Sequence, residues 1–134
     1  MRQPGKLYAL ARELWGLRDT LISARRERRE RIAALFQKIA QCLDEVEAKL
    51  LDNEVPHGQC EQLYTYVQEL PGVIESVVGA EKARKLGERL TEAYDVEMLY
   101  ADLRLHPAER ERELVALARA AGQLRALADI IAAG

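Results

Sequence analysis

Arg25-Arg26-Glu27-Arg28-Arg29-Glu30-Arg31 is the stretch on which the fold turns: five arginines and two glutamates with no apolar side chain among them. On both sides of it apolar residues recur at helical spacing. Leu7, Leu10, Leu14, Leu17 and Leu21 precede it in alternating steps of three and four, one stripe along a helix. Tyr8, Trp15 and Ile22 widen that stripe. After the run come Ile32, Leu35, Ile39, Cys42, Val46 and Leu50, with Phe36 and Leu43 beside them. From Leu21 to Ile32 is eleven residues, one heptad plus four, a stutter that a continuous helix can absorb. Glu27 with Arg31 is an i,i+4 pair in the favourable orientation and Arg26 with Glu30 is the reverse, each worth about 0.2–0.5 kcal/mol. The spacing predicts one long helix over roughly residues 6–53, bent or locally unwound at 24–31. Two separate helices are the alternative. Gly16 lies off the leucine stripe and costs up to ~1 kcal/mol against Ala without forcing a break.

Outward from this segment the punctuation is clear. Residues 1–5 are a short tail whose Pro4-Gly5 suits a helix start. Asp52 to Gly58 reads as a turn, since Asn53 terminates helices well and Pro56 cannot continue one. A helix resumes near Gln59, with Cys60, Leu63, Tyr64, Val67 and Leu70 inward. Pro71-Gly72 is expected to interrupt it, leaving Val73 to Val78 as a short helical turn ending at Gly79. Interrupted helices thus fill about 59–105. Ala83, Leu86, Leu90, Ala93 and Tyr94 mark the early face of the last part, and Val96, Leu99, Tyr100 and Leu103 its late face. His106-Pro107 is the second sharp turn. The last helix, about 107–133, carries Leu114, Leu117, Ala121, Leu124, Ala128 and Ile131 on a heptad stripe. Glu109, Glu111 and Glu113 in its first turns suit the positive end of the helix dipole.

Composition agrees with an all-α chain. Nearly half the residues are hydrophobic but aromatics are 5%, so the core is aliphatic. Ala, Leu, Glu and Arg dominate, and straight-chain residues lose little rotamer freedom in a helix. The 134 residues suit a single domain, 1–134. At 1.5 Å per residue the first helix would be about 70 Å long and the last about 40 Å. That mismatch leaves two solutions. The chain can break near 24–31 and pack compactly, or form an elongated antiparallel bundle of about three long helical segments, one of them interrupted. The expectation is the elongated form, with coiled-coil-like seams, the last helix over the N-terminal half of the first, and Gly79 to Arg84, Glu75, Glu81 and the chain end near the arginine run.

The net charge of −2 and pI near 5.8 argue against a general nucleic-acid coat, so any basic surface must be local. The N-terminus has no secretory apolar core, and no run approaches the ~18 apolar residues of a membrane span. Cys42 and Cys60 make no disulfide framework. A soluble, reducing, cytoplasmic setting follows, and the initiating Met1 favours a free-standing chain.

Motifs of chemistry are sparse. His57 and Cys60 have H-x-x-C spacing, and zinc accepts both ligand types. In a hairpin turning near residue 55, however, Cys42 and Cys60 sit on the order of 13 Å apart along the axis, and His106 belongs to the other turn. The cysteines therefore read as small core residues and the histidines as turn residues, with no metal and no cofactor. Glu92, Asp95, Glu97 and Asp102 lack the Glu-x-x-His partners of a carboxylate di-metal bundle and read as solvated charges. No phosphate loop, dinucleotide fingerprint or nucleophile elbow is present. No enzyme is expected.

The residues left for function are the apolar excess of the first helix and the arginines. Leu14, Trp15, Leu17 and Leu21 with Arg25, Arg26, Arg28, Arg29 and Arg31 form the expected partner-binding surface. The function expected is a non-catalytic helical protein–protein interaction or assembly module, self-associating as a homo-oligomer or meeting an acidic protein surface. The alternative is a small accessory nucleic-acid-binding protein using Arg25 to Arg31, with salt-sensitive phosphate contacts. A solvated helix segment with internal ion pairs, and a leucine stripe covered by the last helix of the same chain, are the bland readings of the same residues.

Overall fold

The computed structural model describes residues 6–89 and 107–134. The expected N-terminal tail lies outside the described residues. So do the expected inward positions Leu90, Ala93, Tyr94, Val96, Leu99, Tyr100 and Leu103, the carboxylates Glu92, Asp95, Glu97 and Asp102, His106, and the side chains of Leu7 and Glu109. Every described element is a helix: α1 (Lys6–Gly16), α2 (Arg18–Ile22), α3 (Arg26–Leu51), α4 (His57–Val78), α5 (80–89) and α6 (Pro107–Ala133).

Four contacts set the direction of α6. Arg110 donates to Asn53 at 2.7 Å, Arg125 pairs with Asp44, Gln37 donates to Asp129 at 3.2 Å, and Gly134 lies against the Arg29 guanidinium. As one number rises the other falls, so α6 runs antiparallel to α3. Arg119 stacks on Tyr8 near the start of α1, while Ile22 at the end of α2 reaches the same end as Arg29 and Gly134. Hence α1 and α2 run parallel to α6, and the chain reverses between Ile22 and Arg26.

This reversal corrects the expected long helix over 6–53. The segment is divided, as in the alternative of separate helices, but into three, and the arginine run begins α3 instead of sitting within one long helix. Three local features accompany it. The Leu17 amide bonds Leu14 at 3.0 Å, a tightened turn just after Gly16, which separates α1 from α2. Ser23 Oγ donates to the Thr20 carbonyl at 2.5 Å, and such side chains compete with the helix for its backbone groups. Arg25 is extended at φ −61°, ψ 151°. No apolar residue between Ala24 and Ile32 offers a seam whose burial would repay continuing straight. Consequently α6 lies between α1 and α3 instead of over half of one long helix, and α3, with 26 residues, is only about 39 Å long.

The end of α3 follows the sequence. Asn53 adopts φ +60°, its amide bonds Leu50 at 3.1 Å and the Glu54 amide bonds Lys49 at 2.9 Å, a Schellman ending. The register beyond it does not. Residues 54–56 leave the helix, and the His57 amide bonds the Val55 carbonyl at 2.9 Å in a tight turn around Pro56 (φ −84°, ψ 59°). Cys42, past the midpoint of α3, meets Gln59 near the start of α4, its thiol donating to that carbonyl at 2.9 Å. The expected 13 Å offset of Cys42 from Cys60 disappears.

Pro71 does not interrupt α4, which runs unbroken to Val78. Interior proline costs about 3 kcal/mol. Leu63, Val67, Leu70 and Ile74 are all buried on one stripe, and each such side chain stabilises by about 1.5–3 kcal/mol, so continuing the stripe outweighs the proline. Its ring then faces α5. A Cβ at Gly87 would lie 2.6 Å from Pro71 Cγ, so glycine is what lets the α5 backbone come this close.

The apolar spacing otherwise translates directly into burial. Leu10, Leu14 and Leu21 are in the core, as is every residue of the second stripe from Ile32 to Leu50. On α6 Leu117, Ala121, Leu124, Ala128 and Ile131 are buried, joined by Ala120 and Leu127, because the helix is shared by α1, α2 and α3.

Candidate functional site

Leu14 and Leu21 are core residues, so they cannot form a surface for a partner. Trp15 and Leu17 are half-buried against the same core. Arg18 covers the Trp15 ring at 5.4 Å and donates to its carbonyl at 3.1 Å. The leucine stripe expected at an interface is instead covered by the chain's own last helix. Aliphatic side chains on two facing helices bury each other whether the second helix is in the same chain or another, which is why periodicity alone could not tell.

The arginines separate into four roles. Arg26 is exposed and pairs with Glu30 at 3.1 Å, a solvated i,i+4 contact worth little. Arg29 turns inward: Nη1 donates to the Ile22 carbonyl at 3.4 Å and Nε is buried without a partner, so this side chain tethers the end of α2 to the start of α3. Arg25, exposed, and Arg28, half-buried, line a cleft of about 440 Å³ with Ser23, Ala24, Ser76 and Val77. Arg31 is exposed on the solvent side of α3. None of Arg25, Arg28 and Arg31 has a carboxylate within ion-pair distance among the described residues. The acids expected near the run do not reach it, since Glu81 pairs with Arg84 at 2.7 Å and Glu75 is exposed on the far side of α4 beside Arg84. Gly134 does arrive there, against Arg29. Cations in the first turn of a helix face the positive end of its dipole, so this cluster disfavours the free fold.

A second surface was not singled out by the stripe analysis. Val115, Ala118, Gly122, Ala126 and Ile130 follow steps of three and four on the outer side of α6, and all five are exposed. The exposed large apolar side chains among the described residues are Leu51, Val115 and Ile130, at 62%, 48% and 36%, so two of the three lie on this face. Arg119 and Asp129 flank it. Nothing lies within 4 Å of where a Cβ on Gly122 would be. At its start a cleft of about 610 Å³ opens between Tyr8 and Ala108, Glu111, Arg112, Val115, Ala116 and Arg119. The signal was present in the sequence as a second apolar stripe beside the first, hidden because alanine and glycine count for little in hydropathy.

The thiols are structural. Burial pushes the Cys42 thiol from its ordinary 9.0 up to about 12, with Glu45 and Cys60 adding to the effect. A thiolate is the reactive form, so Cys42 is inert at neutral pH. Iodoacetamide is expected to leave both buried cysteines of the native protein unlabelled and to modify both in urea; fast labelling of the native chain would contradict this. The folded state holds the Cys42 proton more tightly than the unfolded one. Its contribution to stability is therefore intact below pH 9 and falls as the pH rises towards 12. His57 is exposed at the start of α4 while Cys60 is buried, and among the described residues no group of three His, Cys, Asp or Glu side chains could hold a metal ion. No helix among the described residues is long and apolar enough to cross a membrane.

Comparison with protein-family models, curated proteins and solved structures finds no match to this chain.

Proposed function

We propose that this protein is a non-catalytic helical interaction module that self-associates through the outward face of α6. One observation carries the reading: Val115, Ala118, Gly122, Ala126 and Ile130 form an exposed apolar line along a helix whose opposite side is already buried. A line of exposed apolar side chains on a helix is a surface that a partner can bury. Small residues along the line let a second helix approach closely, since interaxial distance depends on the side chains at the contact. Two α6 faces packed together would form the homo-oligomer, with Val115 and Ile130 as its largest apolar anchors. Leu14, Leu17 and Leu21 are not needed for it.

Solution mass by light scattering on a sizing column, at low and high salt, tests this. The expected result is a dimer or larger assembly that persists in salt, because the contact is apolar. Gly122→Glu with Ala126→Glu places unpaired charge in that contact and is expected to weaken association by about 100-fold or more, leaving the helical circular dichroism unchanged. Gly122 has open space around it, so the variant folds. A wild-type monomer at both salts and at high concentration would remove the reading.

A further inference from the structure

We infer that the cleft at the α2–α3 reversal is a docking site for a short acidic segment of a partner protein, gripped by Arg25 and Arg28. This stands apart from the α6 face and does not depend on self-association. The cleft, about 440 Å³, has Arg25 and Arg28 on the α3 side, Ser76 and Val77 on the α4 side, and Ser23 and Ala24 between them. Neither arginine has a carboxylate within ion-pair distance among the described residues. Arg26 is taken by Glu30, Glu81 by Arg84, and Arg29 by the Ile22 carbonyl. Two guanidiniums at the positive end of α3 raise the free energy of the unliganded fold, and an anion reverses the sign of that interaction.

The geometry favours carboxylates on a protein over a nucleic-acid backbone. The guanidinium fork matches a carboxylate in two parallel hydrogen bonds. Ala24 and Val77 give the cleft an apolar floor, which suits an apolar side chain next to an acidic one. A nucleic acid wants a continuous basic track with stacking surfaces. Here Arg29 is turned inward, Glu27 and Glu30 are exposed on the same helix as Arg28, and no aromatic lines the cleft.

The test titrates the 15N-labelled full chain with a peptide of alternating Glu and Leu, the same peptide with Gln for Glu, and a single-stranded oligonucleotide of similar length. The Glu peptide is expected to shift the side-chain Nε–Hε signals of Arg25 and Arg28 and the amides of residues 23–28 and 76–77. Arg25→Gln with Arg28→Gln should weaken binding at least about ten-fold, a loss of about 1.4 kcal/mol. Arg26→Gln with Arg31→Gln removes the same charge outside the cleft and should change it by less than about three-fold, below 0.7 kcal/mol. Both variants change only side chains outside the core, and circular dichroism verifies that they fold. The proposal is overturned if the Glu peptide causes no shifts, if the Gln peptide binds equally, if both arginine pairs matter equally, or if the oligonucleotide binds more tightly at the same residues.

Discussion

Replacing Phe36 with alanine is expected to cost about 3–5 kcal/mol of folding stability, the largest effect of any single truncation here. Phe36 is the only phenylalanine in the chain and is fully buried at 0% exposure. It sits beside the second stripe on α3, the helix that packs on both α4 and α6. The surrounding core is Leu, Ile, Val and Ala, whose backbones are held by two other helices, so collapse onto the vacated space is limited. The loss combines the transfer free energy of the ring with the cavity left behind. For a domain whose total stability is about 5–15 kcal/mol, that is a large share. Urea denaturation followed by circular dichroism measures it. A cost below about 1 kcal/mol would mean that the helices around Phe36 are free to shift together, against the packing described here.

The opposite sign is expected at Glu113. This side chain is 1% exposed, and neither carboxylate oxygen has a hydrogen-bond partner among the described residues. Its position, seventh in the acidic start of α6, suggested a carboxylate complementing the helix dipole in water. The helix phase instead turns it to the buried side, one turn before Leu117. A buried polar group without a partner costs about 1–3 kcal/mol, and more when charged. Glu113→Met keeps the length of the side chain and removes both orphaned oxygens, so it should raise stability by about 1–3 kcal/mol with an unchanged denaturant slope. A variant that is instead less stable by a similar amount would show that Glu113 meets a cation in the folded protein.

Where the sequence proved readable, the reason was that one physical quantity controlled the outcome. Ile32, Leu35, Ile39, Cys42, Val46 and Leu50 are spaced for one helical face, and that face is buried along its whole length. The α6 heptad from Leu117 to Ile131 behaves the same way. Asn53 ended α3 because its left-handed conformation is a local property. The failures are places where local and tertiary terms nearly balance. Between Ser23 and Arg25 no proline or glycine breaks the helix, and the reversal is decided by α6 covering α1 and α3 together. At Pro71 the local cost is plain in the sequence, but the burial of Leu70 and Ile74 that overrides it is not. The misplacement of Cys42 came from treating residues 54–56 as a symmetric hairpin, whereas the tight turn at Pro56 sets a different register. Of the candidate surface, Arg25 and Arg28 were recognisable as charge without a seam. Their cleft depends on Ser76 and Val77, some fifty residues away in sequence, and could not be read from spacing.

The position of α6 between α1 and α3 has a consequence for how the protein comes apart. Helices α1 and α3 barely touch each other, and each buries its stripe chiefly on α6 or α4. Losing α6 would bare both stripes at once, so the first and last thirds of the chain share one opening transition even though about a hundred residues separate them. Amide hydrogens in the middle of α1 should then exchange at the pace set by α6, while the ends of both helices fray on their own. The chain thus behaves as a single foldon closed by its last helix, and among the described residues a growing polypeptide lacks the main cover of its leucine stripe until that helix has been made.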